Sequence, residues 1–167
     1  MSQFQDVNSN KVEIKNKKYG CASNHILSLK LSNFRNHQSY KVDFPNCPIA
    51  LIGKNGVGKT NILEAISLMQ PGRGFRSVRL EDIAYKNYGN FAIHINLMRD
   101  MEEHKIGSSF DIKYSKTRKV KIDGNFISPL VLTKYLGIIS ITPLMDKIFI
   151  EGSSNRRKFI DKITWIF

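Results

Sequence analysis

Apolar and polar residues alternate along much of this chain. Leu27, Leu29 and Leu31 are interleaved with Ser28, Lys30 and Ser32, and after the interruption NFRNH the same period returns at Tyr40, Val42 and Phe44. A period of two places successive side chains on opposite faces of a strand, so these runs predict a β-hairpin that turns through NFRN. Residues 49–52 are all apolar, the pattern of a strand buried on both faces. Residues 59–69 hold no Gly or Pro, and Ile62, Leu63, Ile66 and Met69 keep helical spacing until Pro71 and Gly72 stop the helix. Three more alternating runs follow: Phe91, Ile93, Ile95 and Leu97; Phe110, Ile112 and Tyr114; and Val120 with Ile122 before the turn signal Asp123 and Gly124. They predict an antiparallel patch. A short helix is expected at 128–137, capped by Ser128, with Pro129 in its first turn and Gly137 as its stop. A second buried strand is expected at 138–141, and a closing helix capped by Ser153 or Ser154. Residues 1–24 are polar and follow neither period, which reads as an arm without fixed structure preceding a unit that spans 25–167.

The segment between the run at 49–52 and the helix is GKNGVGKT. Gly53, Gly58, Lys59 and Thr60 fill the fixed places of GxxxxGK[ST], with Lys54, Asn55, Gly56 and Val57 between them. A triphosphate must be wrapped closely by backbone N–H groups, and residues without Cβ permit both the approach and the dihedrals. A helix that begins near Lys59 aims its free N–H groups at the same anion. The order strand, loop, helix therefore indicates an α/β P-loop NTPase with an antiparallel β subdomain. ATP is the expected ligand, with Lys59 against the β- and γ-phosphates and the Thr60 hydroxyl on Mg²⁺. The bland alternative is a glycine-rich turn that binds nothing. Hydrolysis also needs an acidic residue, usually at the end of a second buried strand. Here 138–141 leads into Thr142 and Pro143 with Asp146 farther on, so the site is half present and no catalytic residue is identified.

Charge widens the picture. Lys and Arg number 26 against 14 Asp and Glu, a net charge of +12 that attracts polyanions such as nucleic acid or an acidic membrane surface. Lys105, Lys113, Lys116, Arg118, Lys119 and Lys121 face one acid, Asp111, with Phe110 and Tyr114 interleaved. This reads as a basic ribbon for a DNA backbone, or equally as the solvated outer face of a hairpin. Arg73 and Arg76 around Phe75, and the pair Arg156 and Arg157, are further phosphate candidates. Cys21 and Cys47 lack metal-ligand spacing and read as reduced thiols; the histidines form no metal pair. No apolar run approaches the roughly 18 residues of a membrane span, so a cytoplasmic location without membrane contact is expected.

Two stretches resemble a known family. LSLKLSNFRNHQSYKVDFPNCPIALIGKNGVGKTNILEAISLMQPGRGFRS is similar to the start of the RecF family of recombination and replication-repair ATPases, relatives of SMC and ABC-type heads. ITPLMDKIFIEGSSNRRKFID is similar to a later RecF segment. The likeness runs from about residue 26 to 161 and covers only the first half of a RecF chain. It implies the N-terminal part of an ABC/SMC-type ATPase head that forms an ATP-dependent homodimer and binds single-stranded or gapped DNA. It also implies work with recombination-mediator proteins in loading recombinase, and a part in the SOS response. By the same resemblance Phe34, Arg35 and Asn36 lie beside the nucleotide, where a guanidinium can pair with phosphate oxygens; without it Arg35 reads as a solvated turn residue. RecF chains begin just before the first strand and continue into a helical arm, a signature motif and a Walker B strand. This chain has an extra arm of about 24 residues and stops before those parts, so a truncated head is expected, one that does not hydrolyse ATP alone. The rival readings are a P-loop nucleotide kinase, a transporter ATPase subunit and a gene fragment without function.

Overall fold

The computed structural model describes residues 12–16, 23–143 and 153–164. Its strands are β1 (Glu13–Asn16), β2 (His25–Phe34), β3 (His37–Asp43), β4 (Ile49–Ile52), β5 (Asn90–Arg99), β6 (Glu102–Asp111), β7 (Lys119–Ile122) and β8 (Asn125–Ile127). The helices are α1 (Lys59–Ser67) and α2 (Ser153–Thr164), with three short 3₁₀ segments at Glu81–Ile83, Tyr85–Asn87 and Pro129–Lys134. Six strands form one antiparallel sheet in the order β3-β2-β5-β6-β7-β8, while β1 and β4 pair as a separate antiparallel ribbon.

Alternation explains the sheet. Leu29 and Leu31 of β2, Phe91, Ile93, Ile95 and Leu97 of β5, Ile106 and Phe110 of β6, and Val120 and Ile122 of β7 are buried on one face. Onto that face α1 and the segment behind it bring Ile62, Ala65, Leu68 and Met69. Each fully buried Leu or Ile contributes about 1.5–3 kcal/mol, so this layer is the main source of stability. The predicted hairpins form where expected. Phe34 pairs with His37, which leaves Arg35 and Asn36 as a two-residue turn. Asp123 and Gly124 both take positive φ, 49° and 86°, as the tight turn between β7 and β8 requires.

Other expectations need correction. The strand at 49–52 forms, but it is not an inner strand: Ile49 and Ile52 are 38% and 39% exposed. Among the described residues only β1 borders it, and Leu51 alone packs against the core. β1 itself lies within the segment expected to lack structure. On α1 Leu63 is exposed and Glu64 is buried, so the apolar stripe is turned from its expected setting. β6 ends at Asp111, whose carboxylate accepts the Lys113 N–H and turns the chain, leaving Ile112 and Tyr114 outside the strand and exposed. The helix at 128–137 is a 3₁₀ segment with no side-chain cap from Ser128. Residues 138–141 form no strand, and Ile139 and Ile141 are exposed. The closing helix is present as α2, while Cys21 and Asp146 lie outside the described residues.

Candidate functional site

The glycine loop joins β4 to α1 and ends at Gly58, the N-cap of the helix, with φ 101°. The dihedral demands glycine, and a Cβ there would also press on His37 Nε2 and on Asn36 Oδ1, the latter at 2.9 Å. No side chain caps the helix and no acid stands in its first turn, which leaves the leading N–H groups and the positive dipole end for an anion. Lys59 Nζ lies across the loop, donating to the Gly53 carbonyl at 2.6 Å and the Lys54 carbonyl at 2.8 Å. Gly53, Lys54, Asn55, Gly56 and Thr60 are exposed, Val57 is half-buried and Gly58 buried. All eight predicted loop residues thus sit together at the mouth of α1.

The β2–β3 turn reaches this loop through Asn36, whose Nδ2 donates to the Gly56 carbonyl at 3.2 Å. Asn61 Nδ2 donates in turn to Asn36 Oδ1 at 2.7 Å. Arg35, expected beside the phosphates, points elsewhere. Its Nε and NH2 grip Glu64 Oε2 and Oε1 at 2.9 and 2.5 Å, and its NH1 donates to the Asp82 carbonyl at 2.8 Å. Arg76, expected to meet phosphate, also donates to Glu64 Oε2 at 3.0 Å. A fully buried carboxylate held by two guanidiniums explains the turned helix stripe, because burying a charge is tolerable only when it is paired. Sequence reading missed Glu64; the signal was an acid next to Ala65 on a helix bracketed by two arginine-bearing loops.

His37, given no role from sequence, packs on Gly58 with its ring centroid 4.8 Å from that of Tyr40. Its Nε2 is buried against Gly58, and burial, outweighing the opposite pull of the Gly58 backbone, holds the imidazole below its ordinary pKa of 6.5. For Mg²⁺ the fit is partial. Thr60 offers an exposed hydroxyl, a hard donor of the right kind, and among the described residues no group of three or more His, Cys, Asp or Glu could hold a metal.

The basic ribbon divides. Lys113, Lys116, Lys119 and Lys121 are exposed, the last with Nζ 4.3 Å over the Phe126 ring. Register puts Lys30 and Lys41 opposite each other on the same outer face, beside a groove of about 350 Å³ whose lining includes Ser32, Ala92, Ser109, Tyr114 and Lys119. Arg118 does not belong to this surface. It is 8% exposed and donates to the carbonyls of Leu68, Gln70 and Gly72 and to Ser108 Oγ. Its guanidinium satisfies the carbonyls at and beyond the C-terminal end of α1, a structural duty that removes it from the DNA candidates. Arg156 and Arg157 are exposed on α2. No helix among the described residues is long and apolar enough to cross a membrane.

Comparison with known proteins places this geometry in context. The family model for the AAA ATPase domain matches residues 25–163. The DNA replication and repair protein RecF of Rickettsia akari (strain Hartford) is 41% identical over 140 residues, 84% of this chain and 39% of the relative. That of Rickettsia bellii (strain OSU 85-389) is 38% identical over the same shares. The solved "recombination mediator protein RecF-ATPrS in RecFOR pathway" matches with TM-score 0.70 and 25% identity, covering 87% of this chain and 39% of that one. The chain therefore spans about two-fifths of the length of these relatives.

Proposed function

The chain belongs to the AAA ATPase domain family, and from that premise we propose that loop 53–60 binds ATP by its triphosphate, as the nucleotide-binding part of a RecF-like protein of DNA replication and repair. The observation that carries this reading is the seating of Gly58, Lys59 and Thr60 on the uncapped N-terminus of α1. Backbone N–H groups of the loop receive phosphate oxygens, and Lys59 exchanges the carbonyls of Gly53 and Lys54 for the β- and γ-phosphates. Thr60 would offer its hydroxyl to Mg²⁺, which would supply neutralisation of phosphate charge. Asn36 stands beside the loop, whereas Arg35 serves Glu64 and is left out of the proposed nucleotide contacts.

The wider role rests on similarity to RecF. In that reading the chain acts in the cytoplasm on single-stranded or gapped DNA, with recombination-mediator proteins, in recombinase loading and the SOS response, and two copies pair around ATP. Lys113, Lys116, Lys119 and Lys121 are the proposed backbone contacts, with Arg156 and Arg157 as a second set. Binding, not hydrolysis, is the chemistry assigned to these residues. Titration calorimetry with Mg-ATP tests it: the chain should bind, and Lys59→Ala, folded by circular dichroism, should lose all detectable binding. Unchanged affinity in that variant would overturn the assignment.

A further inference from the structure

We infer that Arg76 is a positioning residue for the nucleotide-binding loop, acting through a one-way chain of hydrogen bonds from Arg76 to Asn61, from Asn61 to Asn36, and from Asn36 to the Gly56 carbonyl. The inference rests on loop 53–60 being the ATP site and adds what sets the shape of that loop.

Side-chain amides can present either end, but a guanidinium only donates. Arg76 NH1 lies 3.2 Å from Asn61 Oδ1, which fixes the oxygen on that side. Asn61 must then offer Nδ2 outward, and it does so to Asn36 Oδ1 at 2.7 Å. Asn36 is left with Nδ2 toward the loop, 3.2 Å from the Gly56 carbonyl. Every link is thereby oriented by the charged group at its head. Arg76 is itself anchored by the buried carboxylate of Glu64, which Arg35 grips from the turn of the β2–β3 hairpin.

Gly56 is where positioning is needed. It is exposed with φ 88°, and a Cβ built there would find nothing within 4 Å, so no neighbour presses on that side of the loop. The Asn36 amide supplies a hold from the other element. The chain also joins distant segments: Arg76 precedes the 3₁₀ turn at Glu81–Ile83, whose last residue ties to the hairpin, its carbonyl accepting the Arg35 N–H at 2.7 Å. A loop preorganised in this way binds without first ordering itself, so breaking the chain should weaken ATP binding by about three- to tenfold.

The test uses the full chain and four variants: Arg76→Ala, Asn36→Ala, Asn61→Asp and the double variant Asn36→Ala/Asn61→Asp. Asn61→Asp is informative because a carboxylate keeps the bond from Arg76 yet cannot donate to Asn36, so the direction of the chain is lost while the local contact stays. Amide hydrogen exchange at residues 54–58 in nucleotide-free protein should accelerate in the three single variants, and the Kd for Mg-ATP should rise by similar factors. In the Asn36→Ala background Asn61→Asp should add nothing; a further loss equal to its effect alone would mean simple charge repulsion and would overturn the inference. Loop exchange unchanged in Arg76→Ala and Asn61→Asp overturns it whatever the ATP affinities. Failure of the ATP-site reading looks different: Lys59→Ala would bind as the parent does, with the exchange differences intact.

Discussion

Replacing Arg118 tests the account of α1 most directly. Its guanidinium, 8% exposed, serves the carbonyls of Leu68, Gln70 and Gly72 and the hydroxyl of Ser108. In Arg118→Ala the acceptors of Gln70 and Gly72, partly exposed, regain water, whereas Leu68 O and Ser108 Oγ are left buried. A buried polar group without a partner costs about 1–3 kcal/mol, so two give roughly 2–6 kcal/mol. Part of this is offset. Burial already pushes the guanidinium pKa down from its ordinary value, a sign that keeping the charge inside costs free energy which its removal releases. A net loss of about 2–4 kcal/mol remains, and at about 2–4 °C per kcal/mol for a protein of this size the melting temperature should fall by roughly 5–15 °C. Arg118→Lys should recover less than half of it, because one ammonium cannot match a fork that reaches three carbonyls. Lys119→Ala, next door on the exposed face, should change stability by no more than about 0.5 kcal/mol. Thermal melts followed by far-UV circular dichroism decide the matter. A melting temperature for Arg118→Ala within about 2 °C of the parent would refute the reasoning and return Arg118 to the proposed DNA contacts.

Two other outcomes are expected. Burial beside Gly58 and Tyr40 favours neutral His37, so as pH falls below its ordinary 6.5 the unfolded chain takes up a proton that the folded chain resists. Stability should therefore be full above that pH and decline on the acid side down to the folded value; the drop in urea midpoint between about pH 7.5 and about pH 5.5 should be smaller in His37→Gln, and an equal drop would remove His37 from the account. Replacing Lys113, Lys116, Lys119 and Lys121 together by Gln should flatten the salt dependence of single-stranded DNA binding, lowering the slope of log K against log salt by about 0.7 for each phosphate no longer neutralised, with no change in melting; an unaltered slope would assign DNA to another surface.

Much of this was legible in the residues. Period-two alternation in β2, β3, β5 and β7 was enough to locate those strands, since a sheet with one buried face imposes that period and little else does. The loop's place between β4 and α1 was legible because strand, glycine-rich turn and helix each leave a local pattern. What sequence concealed was pairing over long separations. Nothing local to LEAI tells that two arginines, 29 and 12 residues away, make Glu64 an inner residue and push Leu63 outward. Arg118 sat in a lysine-rich run and shared its apparent meaning, although the acceptors it serves lie 46 to 50 residues earlier, together with Ser108. The apolar run at 49–52 predicted an inner strand because composition reports how well residues would tolerate burial; among the described residues β1 alone pairs with it.

The loop has unequal abutments. Downstream it is welded to a helix whose far end Arg118 bolts to the sheet and whose near end leans on His37. Upstream it hangs from a four-residue strand that, among the described residues, pairs with β1 and reaches the core through Leu51. A guest gripping both sides would meet a loop that Lys59 and Asn36 already hold at Gly53, Lys54 and Gly56, so whatever ordering it demands would fall on the strand at 49–52, while α1, the fixed jaw, stays where the sheet already put it.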